Sequence, residues 1–418
     1  MNQALRHALQ RLAAGDPLGA LGFVGAAPCA HSLALRGIAL AQLKEHDRAR
    51  RDLRRAIHAL NRQGAHGDSA RAAAALAEVE ANARNVGRAR EALSKQRRAL
   101  AALRDITNVA YLDILCARLD VLTGNHVAAQ GRLEAATSML DQVPIRSRSA
   151  LEVCVSLARG ELAVAQRRYI DAERHFHSAL SVESSLNQLL FAEIRGRLRS
   201  ISEPSLRFRD SKGVRSLTLV GYEQVIASCS GLLVDETNGT IRIGGDDDRQ
   251  VLLEGRHSLF RLALTLAWAT PRALSAPELF EQGFGEQLTN ESHRARLKVA
   301  LSRLRGALGR KAVSYRAGGW YLDVPEVVVV RTSSTSERPA LRLMQDGECW
   351  SASALAEAMG VSRRHALRVL NQLVGDGEVM VLGAGRATRY VYKSYWPRIA
   401  PSELLPIESI GVNLGARH

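Results

Sequence analysis

Through the first 200 residues apolar side chains recur every three to four positions while strand formers and Pro are few, so the whole stretch is expected to be helical. The pattern also repeats at longer range. Gly37, Ala49, Leu53 and Ala56 stand at offsets 0, 12, 16 and 19, and the same offsets separate Ala117, Ala129, Leu133 and Ala136. They recur once more in Gly160, Ala172, Phe176 and Ala179, and a weaker copy runs through Ala77, Ala89, Leu93 and Gln96. The copies start at 37, 77, 117 and 160, a near-constant spacing that marks stacked supersecondary units. Small residues at the first two offsets let antiparallel helices approach closely. The large residue at offset 16 wedges between neighbouring hairpins.

These offsets resemble the tetratricopeptide (TPR) repeat, with its succession of small residue, Ala, large apolar residue and Ala. The resemblance covers about half the chain and is degenerate. The period exceeds the usual value of about 34 residues, the first-helix aromatics are missing, and no Pro closes each unit. Longer helices or loops should take up the difference. The resemblance implies an all-α TPR-like solenoid over residues 1–203, offering a concave surface to a protein partner or to a second copy of the chain; an irregular helical bundle is the alternative. The basic run Arg84, Arg88, Arg90, Arg97, Arg98 and Arg104 reads as a solvated helix face that an acidic partner could use.

After Pro204 the pattern changes. Residues 217–220 and 222–227 read as extended from their β-branched and aromatic content. Residues 232–234, 240–243 and 251–253 read as short strands, with Thr237, Asn238 and Gly239 marking a turn. Residues 258–269 then place Leu259, Leu262, Ala263 and Leu266 on one helical face, and Pro271 ends that helix. Ser275 and Glu278 form a capping box for a second helix. A third runs from about 290 to 308 with Leu297, Leu301, Leu304 and Leu308 in one stripe, followed by strand, Gly-Gly turn and strand.

Strands, three helices and a hairpin in that order spell a winged helix-turn-helix. Residues 300–309 resemble the third-helix signature of OmpR/PhoB-type DNA-binding domains, and residues 313–322 resemble that family's wing. Residues 232–243 are similar to its opening sheet and 273–285 to its second helix, so the match spans roughly 230–325 within a domain placed at 204–331. With the leucine stripe inward, a 100° step per residue puts Arg296, Val299 and Arg303 on the opposite face. Ser292 shares that face, and Lys298 and Ser302 flank it. Such a helix suits a major groove, where Arg bonds guanine bidentately and Val299 meets a thymine methyl. Arg316, just before the Gly318-Gly319 tip, is placed for a phosphate or the minor groove. Arg305 is expected in an internal salt bridge.

A short polar linker, 332–337, leads to a smaller version of the same pattern over 338–396. Helices are expected at 339–346, 352–359 and 363–377, with Trp350 in an edge strand and a hairpin over 378–393. The run Leu355-Ala356-Glu357, then Gly360-Val361-Ser362, is a common helix-turn-helix spelling and resembles a generic MarR/DeoR-like winged helix. Ser362 caps the third helix, Leu367, Leu370, Leu373 and Val374 face inward, and Arg363, Arg364, His365 and Arg368 crowd its exposed first turns. Arg386 and Arg389 belong to the hairpin. Winged helices also serve as protein-interaction modules, which is the competing reading here. Residues 397–418 form a tail.

Composition bounds what this organisation can do. A chain of 418 residues with 46% hydrophobic and 24% charged content is long enough for two to four globular units. Its net charge of +15 favours anionic partners, although the heavy preference for Arg over Lys has a bland origin in a GC-rich genome. No phosphate-binding loop, zinc-protease or nucleophile-elbow motif occurs. His175 and His177 diverge on a helix, and Asp246, Asp247 and Asp248 read as a solvated hairpin tip, so no metal, cofactor or enzymatic activity is expected. Cys29, Cys116, Cys154, Cys229 and Cys349 lack paired spacing, which points to a reduced, cytoplasmic setting. No membrane span or secretion signal is read, and no receiver domain with a phospho-acceptor aspartate. The expected function is a transcriptional regulator binding double-stranded DNA, acting as a homodimer or with a protein partner through the TPR-like region. A tandem winged-helix replication initiator or mobile-element protein is the alternative, and a pure protein scaffold a third.

Overall fold

The computed structural model describes residues 3–24, 29–43, 45–82, 86–182, 188–244, 249–251, 257–332, 339–344, 350–376, 378–382 and 388–392. It is mostly helical, with a small mixed sheet. The chain divides into two compact units, Met1–Ser200 with Met380–His418, and Ile201–Val379.

In the first unit the helices run α1 (Gln3–Ala13), α2 (Pro17–Val24), α3 (Ala30–Gln42), α4 (His46–Arg62), α5 (His66–Asn82), α6 (Val86–Ala102), α7 (Ile106–Leu122), α8 (His126–Met139), α9 (Ile145–Ala165), α10 (Tyr169–Leu180) and α11 (Gln188–Ser202). One turn geometry joins most of them. The backbone N–H groups of Asp16, Glu45, Ala65, Asp105, Asn125 and Arg168 each donate to a carbonyl five residues back. Gly15, Gly64, Arg104, Gly124 and Arg167 take positive φ just before, the left-handed helix stop. Arg104 and Arg167 hold that conformation with a side chain attached, at a cost of about 1–2 kcal/mol each.

The repeated offsets fall where close packing needs them. The offset-zero residue sits on the first helix of a pair (α3, α5, α7 or α9) and the others sit on the second. Ala49, Leu53, Ala56, Ala129, Leu133, Ala136, Ala172, Phe176 and Ala179 are all buried, whereas Gln96 of the weaker copy is half-buried. A Cβ on Gly37 would lie 2.7 Å from Leu53 Cγ, and one on Gly160 would lie 2.3 Å from Phe176 Cε1. The wedge residue therefore rests against the backbone of the paired helix.

The basic run is only in part a free face. Arg97 donates to both carboxylate oxygens of Asp113, at 2.6 and 2.7 Å, and Arg90 lies 2.8 Å from Asp120. Asp113 and Asp120 are two turns apart on α7, so both meet α6, and Arg132 of α8 closes on Asp120 at 2.9 Å. Arg88, Arg98 and Arg104 are exposed, and Arg84 lies outside the described residues. Deeper in, Arg118 is 1% exposed and bonds Glu161 at 2.8 and 3.0 Å and Glu193 at 2.8 Å. Burial opposes its charge, but the two carboxylates outweigh burial and hold the guanidinium protonated. Burial pushes the Cys116 and Cys154 thiols up to about 11 and about 12, so neither is a thiolate at neutral pH.

The second unit centres on a six-stranded sheet of order β2-β1-β8-β3-β4-β5. Its strands are β1 (Leu206–Asp210), β2 (Gly213–Leu217), β3 (Leu232–Asp235), β4 (Thr240–Ile243), β5 (Arg249–Val251) and β8 (Val327–Thr332). β8 pairs parallel with β3 and antiparallel with β1. This strand corrects the expected linker, since Thr332 ends β8; residues 333–338 lie outside the described residues. The four consecutive valines of β8 are the buried-strand signal behind it. Residues 217–220 and 222–227, expected extended, are corrected in the main: only Leu217 lies in a strand, and helix α12 (Leu219–Ser228) takes up the rest from Leu219 on. Thr218 caps it by accepting from the Gly221 N–H, and Tyr222 is buried with its hydroxyl donating to Asp235 at 2.5 Å. Cap and burial override the β propensity of its side chains.

Packed with the sheet are α13 (His257–Ala269), α14 (Ala276–Phe284) and α15 (Glu291–Leu308), followed by the hairpin β6 (Val313–Arg316) and β7 (Gly319–Leu322). Leu259, Leu262, Ala263 and Leu266 of α13 and the four leucines of α15 are buried in one core with Val234, Ile241 and Val329. The Asp246–Asp248 triplet lies outside the described residues. Three further helices follow, α16 (Pro339–Met344), α17 (Ala352–Met359) and α18 (Arg363–Gly375), and then strands β9 (Val379–Leu382) and β10 (Arg389–Tyr392).

Two outcomes test the first unit. Gly160→Ala should lower its stability by about 1–3 kcal/mol, because the fully buried Phe176 ring has nowhere to go. Gly131→Ala, on a helix position with no atom near the added methyl, should raise it by about 0.5–1 kcal/mol. Denaturant melts of the two variants read the opposite signs. The second outcome concerns Glu161. Burial alone would raise its carboxyl, but the charges of Arg118 and Arg197 and the Arg118 hydrogen bonds prevail and hold it below its ordinary value of 4.5. Its contribution is therefore present above pH 4.5 and lost as pH falls through the lower folded value. Melting temperature should drop through that acid range, and Glu161→Gln should flatten the drop while destabilising the protein at neutral pH.

Candidate nucleic-acid interface

Helix α15 starts at Asn290, whose side chain accepts from the His293 N–H, and stops at Gly309. One side carries the buried stripe Leu297, Ala300, Leu301, Leu304 and Leu308. The other side is open: Ser292, Arg296, Lys298, Val299, Ser302 and Arg303 are all exposed, and Val299 keeps 50% of its surface in solvent. The sequence-derived set is thus together on one face, but its members are not equivalent. Arg303 and Lys298 have no hydrogen-bond or ion-pair partner among the described residues. Arg296 is held back, with its guanidinium 4.5 Å from the Phe284 ring centroid and 3.3 Å from Glu286. That pair is half-exposed, so its grip is weak and the arm can be redirected.

Helix α14, which precedes α15, is fixed by its cap. Ser275 and Glu278 form the expected reciprocal pair, and Gly285 ends the helix in the left-handed region. Hydrogen bonds from the Ser275 hydroxyl and backbone, with Arg272 beside them, pull the Glu278 carboxyl down to about 2. The carboxylate end of this box therefore stays charged through any ordinary pH.

The hairpin is tied to the helices at three points. Leu274, between α13 and α14, exchanges two backbone hydrogen bonds with Trp320, at 2.8 and 2.7 Å. A Cβ on Gly319 would meet Leu274 O at 2.9 Å, so only Gly permits that approach. Arg305 supplies the second tie, and here the expectation is corrected: among the described residues it makes no salt bridge but donates to Val313 O at 2.8 Å, with its guanidinium 4.9 Å from the Trp320 ring centroid. Arg316 supplies the third, donating to Pro271 O at 3.3 Å with its guanidinium 4.2 Å from Tyr321. Its side chain remains exposed. The tip is a two-residue turn, Ala317 and Gly318 both at positive φ, as a hairpin of this twist needs. Tyr315 projects beside it, 57% exposed, against the edge of Trp320. Sequence reasoning did not single out Tyr315, although its place next to Arg316 on the strand was visible.

In the C-terminal helices, Gly360 ends α17 at positive φ and Ser362 caps α18, accepting from the His365 N–H. Ser362, Arg363, Arg364, His365 and Arg368 are exposed, with Arg368 3.2 Å from His365 Nδ1. Ala366, Leu370 and Leu373 are buried; Leu367 and Val374, expected inward, are half-buried because Ala366 takes the inner position. Trp350 occupies an isolated bridge. Arg389 is exposed on β10, and Arg386 lies outside the described residues.

In the first unit a cleft of about 500 Å³ is lined by Arg97 and Arg98 of α6, the buried Asp113 of α7, and Ala128, Gly131 and Arg132 of α8. Among the described residues, no group of three or more His, Cys, Asp and Glu lies close enough to hold a metal ion, and no helix is long and apolar enough to cross a membrane. Comparison with family models, curated proteins and solved structures finds no match to this chain.

The arrangement separates two arginines by role. Arg305→Ala should cost about 1.5–3 kcal/mol, since it removes a charged hydrogen bond between α15 and the hairpin. Arg303→Ala should change stability by less than about 0.5 kcal/mol. Thermal unfolding of the two variants reads the difference.

Proposed function

We propose that the protein is a sequence-specific regulator of transcription that binds double-stranded DNA and is not an enzyme. In this reading α13–α15 with the hairpin β6–β7 form an OmpR/PhoB-like winged helix. α15 enters the major groove, where Arg303 and Arg296 bond base edges and Val299 meets a thymine methyl. Arg316 and the hairpin tip follow the phosphate backbone. α18 is a second DNA-reading helix of MarR/DeoR-like type, through Arg363, Arg364, His365 and Arg368. The paired helices of the first unit act as a TPR-like surface for a protein partner or a second copy of the chain, and the cell compartment is the cytoplasm.

One observation carries the reading. An exposed row of Ser292, Arg296, Val299 and Arg303 stands opposite a buried leucine stripe, on a helix tied to a hairpin through Arg305. Polar, cationic and apolar groups at helical spacing on one rigid face are what reading a base-pair edge requires. Mapping bound fragments across the source genome tests it: promoters support a regulator, a single origin supports an initiator, and no enrichment ends the DNA reading. On the best-bound fragment Arg303→Ala should cost about 1–3 kcal/mol and on random duplex much less. Equal losses on both would reduce Arg303 to a phosphate contact.

A further inference from the structure

The outer strands of the second unit's sheet carry a feature that the base-reading helix does not explain. Along β1, Leu206 and Phe208 are buried while Arg207 and Arg209 point to the opposite face. Across the ladder Arg207 pairs directly with Arg331 of β8, and on the other side it faces Ser216 of β2. Like charges directly opposite in an antiparallel pair destabilise the sheet. Here a third arginine joins them on the same face. All three guanidinium groups gather round Trp268 of α13, at 5.8, 5.7 and 4.9 Å from its ring centroid.

Among the described residues only Arg331 of the three has a carboxylate, bonding Glu236 at 2.9 and 3.3 Å. Arg209 donates to a neutral carbonyl, Thr270 O, at 2.9 Å. Arg207 is exposed and has neither hydrogen bond nor ion pair among the described residues. The indole face attracts cations but carries no net charge, so it collects the arginines without neutralising them. A cluster of this kind is costly in the free protein and relieved by an anion.

Its position names the anion. Arg209 holds the carbonyl of Thr270, and Arg316 of the hairpin holds the carbonyl of the next residue, Pro271. The two guanidinium groups thus flank one turn, and the cationic strip runs from the sheet face to the tip of the hairpin. We infer that the face formed by Arg207, Arg209, Arg331 and Trp268 binds the phosphate backbone of the same duplex, beyond the segment read by α15. This inference rests on the DNA-binding reading proposed above. The face holds phosphates without reading sequence, since its donors are guanidinium groups carried on sheet strands, which do not enter a groove.

The test uses the full chain, a random-sequence duplex and the best-bound genomic fragment, with binding measured across a range of salt. Arg207→Ala should lower the log–log salt slope by about one and weaken both duplexes by a similar factor. Arg207→Lys should restore the slope, because a phosphate accepts either cation. The free Arg207→Ala protein should melt no lower than the wild type, since a like-charge contact has been removed. An unchanged slope in Arg207→Ala, alongside weakened binding in Arg303→Ala, overturns this inference and leaves the DNA reading standing. Failure of Lys to restore the slope also overturns it. No binding of either duplex by the wild-type chain would instead remove the DNA reading itself.

Discussion

A guanidinium withdrawn from water must be given a partner, and where that partner comes from organises this protein. In the first unit several arginines are answered by carboxylates on neighbouring helices: Arg36 by Asp52, Arg71 by Asp105, Arg97 by Asp113 and Arg118 by Glu161 and Glu193. These pairs join helices and cancel charge. In the second unit several arginines rest instead on aromatic rings and backbone carbonyls, as Arg305 does on Trp320 and Val313 O, and Arg316 on Tyr321 and Pro271 O. Such contacts fix the side chain and leave its charge intact. The paired arginines of the first unit serve cohesion between helices, whereas Arg305 and Arg316 are held in place with their charge uncancelled.

Cohesion of the first unit also depends on small residues. Gly37 and Gly160 admit Leu53 and Phe176 against the backbone, and the surrounding alanines are buried without exception along the repeated offsets. Alanine loses no side-chain entropy on burial but contributes little apolar area. The large wedge residues and the buried ion pairs therefore carry much of the specificity between helices. Arg118 illustrates the risk in that arrangement, because removing either carboxylate would leave a buried charge without enough compensation.

Much of this was legible in the chain. The spacing of Gly37, Ala49, Leu53 and Ala56 located a helix pair, the Leu297 to Leu308 stripe gave the inner face of α15, and Ser275 with Glu278 located the start of α14. Those signals are local, and each element can be read from its own residues. What escaped depends on partners distant in sequence. Asp113 and Asp120 claim arginines that look solvated on α6, and Tyr222 is drawn into a helix by Asp235 and the Thr218 cap. The exposed face of α15 was readable by periodicity, yet the division between a free Arg303 and a stacked Arg296 was not, because Phe284 and Glu286 come from the preceding helix and loop. The cluster round Trp268 needed the sheet order itself.

Strand β8 returns from the hairpin to the middle of the sheet, between β1 and β3. The polypeptide leaving this sheet toward α16 therefore departs from a central strand laced on both sides. A pull from the C-terminal direction is carried in shear by two hydrogen-bonded ladders together, and the hairpin upstream is shielded from it. The same path sets the smallest piece of this unit that can stand as a closed sheet: a chain cut after β7 loses the strand that joins its two halves, and only one reaching Thr332 keeps them as one body.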